Sequence, residues 1–180
     1  MWHATEARAG AGRPPPFWAF AWAGGQALAR YVLDNPQVVR GKGVFDLASG
    51  GGIVAIAAAL AEAREVTASE VDPLAIAALH RNAAANGVTL RLTPGDPLAG
   101  PPPIAEVILA GDVFYERTMA ERVLAYLAAG RALGAEVLVG DPGRSYLPAE
   151  RFERLAHYAI PVPRTIEDSE VKPTWVLRLG

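Results

Sequence analysis

Four carboxylates in this chain follow short apolar runs: Asp46, Glu70, Asp96 and Asp112. Asp46 stands just before three successive glycines, Gly50, Gly51 and Gly52. Glycines between a strand and a helix let a ligand approach the backbone closely and admit conformations that other residues resist. Two ligand classes compete for such a loop. Gly50, Gly52 and Ala55 satisfy the dinucleotide spacing, and Glu70 lies near the distance expected of a ribose-binding acid. That reading gives a nicotinamide cofactor and an oxidoreductase. Asp46 favours the second class. A carboxylate there repels a pyrophosphate and attracts a sulfonium ligand that carries a free ammonium group. On this reading Asp46, Ala48, Ser49, Gly50 and Gly52 hold the ligand, and Glu70 accepts its two ribose hydroxyls. Asp96 suits an adenine amino group, and equally suits the acid of a Pro-Gly-Asp turn. Asp72, before Pro73, reads as a helix cap.

These residues need a scaffold that brings them to one edge. After an aromatic stretch from Phe17 to Trp22, a helical pattern opens at Gly24-Gly25 and stops at Pro36. Strands and helices then alternate. The patterning predicts strands over 43–47, 65–70, 88–92, 105–110 and 135–139. It predicts helices over 53–63, 73–86, 117–129 and 148–156, and closing strands over 159–162 and 174–179. Alternation with short links implies an α/β fold: a Rossmann-like, doubly wound, mostly parallel seven-stranded sheet. Ligands of such sheets bind beyond the carboxyl ends of the strands, where these glycines and carboxylates fall. Residues 1–16 read as a flexible tail ending in a polyproline run, and residues 17–180 as one domain.

Composition narrows the function classes. The 180 residues include no cysteine, which excludes disulfides, thiolate metal sites and cysteine nucleophiles. His3, His80 and His157 are too scattered to pair as ligands, so no metal is expected. A net charge of −2 and a pI near 5.9 give no broad basic footprint for nucleic acid. Neither a signal peptide nor an apolar run of membrane-spanning length is present, so a cytoplasmic protein without membrane contact is expected.

Four stretches carry a family resemblance. Asp46, Ala48, Gly50 and Gly52 resemble the first motif of class I S-adenosylmethionine-dependent methyltransferases. Asp112-Val113-Phe114-Tyr115 resembles the Asp-x-Phe-Tyr element of protein lysine methyltransferases. The aromatic stretch through Trp22, Gly24, Gly25 and Gln26 is similar to a segment of the electron transfer flavoprotein β-subunit lysine methyltransferases. So is Gly140-Asp141-Pro142-Gly143-Arg144. The resemblance implies S-adenosyl-L-methionine as cofactor and a lysine on the electron transfer flavoprotein β subunit as acceptor. A ribosomal protein or a small amine is the alternative acceptor, and a non-catalytic cofactor-binding module the non-enzymatic alternative.

Methyl transfer to lysine needs a neutral amine, and an apolar slot lowers the free side chain's pKa of about 10.4. Phe114 and Tyr115 are the expected walls, with Asp112 positioning the amine or the cofactor's methionyl end. Trp22 is the expected aromatic contact to the cofactor. Asp141 and Arg144 are expected at the substrate mouth or in a salt-bridged turn.

Overall fold

The computed structural model of the chain describes residues 16–164 and 169–180. The expected tail, apart from Pro16, lies outside the described residues. The strands are β1 (Gly43–Leu47), β2 (Glu65–Glu70), β3 (Arg91–Pro94), β4 (Val107–Gly111), β5 (Glu136–Asp141), β6 (Phe152–Pro161) and β7 (Val171–Leu179). They form one seven-stranded sheet in the order β3-β2-β1-β4-β5-β7-β6. The first five run parallel, and β7 is antiparallel to both β5 and β6. The helices are α1 (Ala23–Asp34), α2 (Ile53–Leu60), α3 (Pro73–Ala85) and α4 (Arg117–Ala132).

The central parallel strands β1, β4 and β5 are largely apolar on both faces because helices cover both. Along β4, Val107 and Leu109 join the core beneath α1 and α2, while Ile108 and Ala110 join the core that contains α4 residues Val123 and Leu127. Burial of each large aliphatic side chain contributes about 1.5–3 kcal/mol. Leu47 of β1 lies opposite Ala110 of β4, so both strands end at one level. Between them the strand order reverses, which opens the crevice where such sheets bind ligands.

Glycines bring α1 flush against that end of the sheet. A Cβ on Gly24 would stand 2.2 Å from the Gly140 carbonyl oxygen, and one on Gly111 would stand 2.8 Å from the Gly25 Cα. Gly24 and Gly25, which open the predicted helix, therefore serve packing against β4 and β5.

Two predicted elements change. The third strand begins at Arg91 rather than Val88. Gly87 adopts φ +67°, and the Val88 N–H donates to the Ala83 carbonyl, so Val88 closes α3. The helix predicted over 148–156 is a short 3₁₀ turn, Ala149–Arg151, followed by β6. A bulge between Arg154 and Ala156 places Leu155 and Ala156 on one face. The apolar spacing of Phe152, Leu155 and Tyr158 therefore imitates a helical period.

Candidate functional site

At the crevice the backbone leaves β1 and β4 through residues with positive φ. Ala48 has φ +56° and Asp112 has φ +55°, and both directly follow a strand. Non-glycine residues in this region cluster at functional sites. Gly50 and Gly52 follow at φ +54° and +88°, where a side chain is strained.

The glycine loop is laced to the end of β2. The Gly50 N–H donates to Glu70 Oε2 at 2.8 Å, and the Ala48 N–H donates to Ser69 Oγ at 3.2 Å. Ser49 donates its N–H to the Ser69 carbonyl and its hydroxyl to the Asp46 carbonyl. Glu70 Oε1 accepts the Val71 and Asp72 N–H groups, which fixes the carboxylate at the crevice rim. From α3, Asn82 donates to the Gly51 carbonyl at 2.7 Å. Asn82 is invisible as a site residue in the sequence, because it lies within a helix and outside the glycine motif. Asp72 accepts the Leu74 N–H and caps α3, as its place before Pro73 predicts.

Asp46 is buried, and its Oδ2 accepts the Ala55 N–H at 3.1 Å. The cap residue of α2, Gly52, has no side chain to serve that turn, so Asp46 reaches across from β1. Burial raises its carboxyl to about 7, and the nearby charge of Glu70 pushes in the same direction. No cation stands against it among the described residues. Its role is thus deeper than expected: the carboxylate lies beneath the loop rather than on the open surface.

Asp112 joins three elements. Its Oδ2 accepts the Gly24 N–H at the start of α1, and its Oδ1 meets the Arg144 guanidinium at 2.7–2.8 Å. Arg144 in turn lies 5.7 Å from the centre of the Trp22 ring. Asp141 is buried; its Oδ1 accepts the Gly143 and Arg144 N–H groups. Burial raises its carboxyl to about 6. The turn is closed by backbone hydrogen bonds to Asp141, and the Arg144 guanidinium pairs with Asp112 instead.

Phe114 departs from expectation. It is fully buried, packed edge-on against Phe152 at 5.9 Å, so it is core and not a wall of the crevice. Its neighbour Tyr115 points outward, half exposed, with its ring 6.4 Å from that of Phe17. Desolvation raises the Tyr115 phenol, with Glu116 and Glu70 adding to the shift. The aromatic stretch thus folds over the crevice. A Cβ on Gly50 would lie 3.6 Å from the Trp18 Cα, and one on Gly51 would lie 3.1 Å from the Trp18 carbonyl oxygen. Trp22 Nε1 donates to the Phe17 carbonyl at 2.7 Å. Asp96 caps the Pro97–Ala99 turn and pairs with Arg122 at 2.6 Å. Its turn role is present, and the Arg122 hydrogen bond holds its carboxyl below the ordinary range.

The arrangement is one crevice with two rims: a carboxylate-braced glycine loop, and an aromatic mouth next to Asp112. Residues 26–111 match the family described as Ribosomal protein L11 methyltransferase (PrmA). The chain is 40% identical over 154 residues to the electron transfer flavoprotein beta subunit lysine methyltransferase of Rattus norvegicus. That match covers 82% of the chain and 60% of the relative, so the chain spans about three fifths of the relative's length. The chain has the class I methyltransferase fold. Solved structures agree in fold. The ribosomal protein L11 methylase of Lactobacillus delbrueckii subsp. bulgaricus superposes with a TM-score of 0.62 at 20% identity, covering 89% of this chain and 81% of that one. Magnesium protoporphyrin IX methyltransferase of Synechocystis PCC 6803, solved with bound SAH, superposes with a TM-score of 0.62 at 14% identity. That match covers 87% of this chain and 82% of that one. Among the described residues no helix is long and apolar enough to cross a membrane.

Proposed function

We propose that this chain is an S-adenosylmethionine-dependent protein lysine N-methyltransferase, with the electron transfer flavoprotein β subunit as its acceptor. The observation that carries this reading is the loop after β1. It is laced to Glu70 through Gly50 and backed by a buried Asp46 that no described cation neutralises. The residues present fit the cofactor. A carboxylate at Glu70 accepts two ribose hydroxyl protons. Gly50 and Gly51 let the Trp18 backbone close over the loop, and Asp46 favours a ligand that brings positive charge. Bound there, S-adenosylmethionine supplies an electrophilic methyl group on a sulfonium sulfur.

The chain's own residues do the rest. Ala48, Ser49, Gly50 and Gly52 shape the floor, and Asp96 bounds the rim at the base end. Asp112 holds α1 and Arg144 in place, and through Arg144 it holds Trp22. Tyr115 faces the crevice mouth and offers an incoming amine an apolar wall, which favours the neutral form that has a free electron pair. Orientation of such an amine is worth several kcal/mol. In this reading residues 17–180 act as one domain, in the cytoplasm.

The test is direct. Thermal melts with S-adenosylhomocysteine and with NAD separate a methyltransferase from an oxidoreductase: only the first ligand raises the melting temperature. Intact mass spectrometry of the rat electron transfer flavoprotein β subunit, incubated with enzyme and cofactor, gains whole methyl increments. A specific observation supports a second acceptor, since the L11 methyltransferase family matches residues 26–111. Methylation of ribosomal protein L11 with none on the flavoprotein subunit overturns the acceptor and leaves the cofactor reading standing.

A further inference from the structure

We infer that Phe17 and Tyr115 form a two-ring gate that admits the alkyl-ammonium head of the acceptor, with Phe17 as a specificity-determining residue. The inference rests on the reading of the crevice as a lysine-methylating site. It begins from exposure. Phe17 is 50% exposed and Tyr115 52% exposed, yet their rings lie 6.4 Å apart with a tilt of 33°. Neither ring is a core residue. An outward-facing pair of large apolar rings at a crevice mouth is characteristic of a binding surface.

Their placement ties them to the cofactor end. Phe17 immediately precedes Trp18, whose backbone rests on Gly50 and Gly51. Tyr115 belongs to the turn after β4 and feels the charge of Glu70 across the crevice. The two rings meet where the aromatic segment comes up to the turn after β4. Phe17 is held there rather than trailing: its carbonyl accepts the Trp22 indole N–H, and the Ala19 N–H closes the turn on Pro16.

The aromatic row also shows which rings are spoken for. Trp22, 6.2 Å from Phe17, already carries the Arg144 guanidinium over its face. Among the described residues no arginine or lysine lies over Phe17 or Tyr115 in this way. An aromatic face attracts an ammonium, and aromatic surroundings accept methylated ammonium groups especially well. The ring separation lies within the range of direct ring contact, about 4.5–7 Å. A small rotation of Phe17 thus opens the pair around an alkyl stem. Each methyl added to the amine leaves a bulkier, less hydrated head that suits the rings better, so the gate also retains partly methylated acceptor.

The test uses the chain loaded with S-adenosylhomocysteine and titrated with Nα-acetyl-Nε-trimethyllysine amide, followed through the probe's methyl signal by NMR. Phe17→Ala weakens probe binding about five- to tenfold, the size of a desolvated ring–cation contact. Phe17→Tyr stays within about twofold of the parent, and the affinity for S-adenosylhomocysteine is unchanged in both. With rat flavoprotein subunit as acceptor, Phe17→Ala raises KM with little change in kcat and shifts the products toward fewer methyl groups. A parent that fails to bind the probe, or a Phe17→Ala variant that binds it as the parent does, overturns the gate. So does a Phe17→Ala variant whose only loss is cofactor affinity, since that makes the segment a cofactor cover. A parent that binds the probe but methylates no protein overturns the enzymatic reading while the ring pair stands.

Discussion

Replacing Asp46 with asparagine separates what the buried carboxylate costs the fold from what it gives the ligand. The side chain is 1% exposed, and its carboxyl is raised from 3.8 to about 7, chiefly by burial. The folded state therefore binds this proton more tightly than the unfolded chain does. Between pH 3.8 and about 7 the folded form holds more protons, so the contribution of Asp46 to stability falls as the pH rises through that window. Above about pH 7 the full penalty remains. A shift of roughly three pKa units corresponds to at most about 4 kcal/mol. Asparagine keeps the shape and still accepts the Ala55 N–H without a charge to bury. Asp46→Asn is expected to be more stable than the parent above pH 7, by about 2–4 kcal/mol in urea unfolding. The gain shrinks toward zero near pH 4. The ligand responds in the opposite sense. A cationic cofactor needs the ionised form, so the parent's affinity for S-adenosylmethionine rises with pH through about 7, and binding releases a proton. In Asp46→Asn the affinity is more than tenfold weaker and independent of pH. Calorimetry in two buffers of different ionisation enthalpy counts the proton. A stability difference that does not change between pH 4 and 8 refutes the buried-carboxylate account. Unchanged cofactor affinity refutes its link to the ligand.

The other predictions concern the supports of the crevice. Arg144→Met removes the counter-charge from Asp112, a pair whose side chains are 20% and 7% exposed, and is expected to cost about 3 kcal/mol. A melting temperature within a degree of the parent would count against that pair, and Asp112→Asn in the same chain should restore part of the loss. Gly24→Ala drives a Cβ to 2.2 Å from the Gly140 carbonyl oxygen, so it is expected to destabilise by about 1–3 kcal/mol. Equal stability in chemical denaturation would mean that α1 shifts freely on the sheet. Glu70→Ala releases the Gly50 N–H and removes the acceptor for the ribose. S-adenosylhomocysteine should bind at least tenfold more weakly while a 2′-deoxyribose analogue loses less, and equal losses by calorimetry would remove Glu70 from the ribose.

What the sequence discloses and what it hides follow from the range of the physics involved. β1, β4 and β5 are largely apolar runs because both faces of a parallel sheet are covered, and a glycine or carboxylate lies at or beside each end. Gly50 and Gly52 are legible because positive φ demands glycine, a local requirement written at the position itself. β6 is illegible for an equally local reason: one bulged residue turns a period of two into an imitation of a helical repeat. The site fails to be legible where partners are distant. Asp112 is bonded to residues 88 and 32 positions away, and no periodicity encodes Gly24 or Arg144 as those partners. Phe114 and Tyr115 show the limit most sharply. They are adjacent, both aromatic and both just past a strand, so residue type and spacing treat them alike. Packing against residues distant in sequence, Phe152 of β6 among them, puts Phe114 in the core, while Tyr115 stays half exposed.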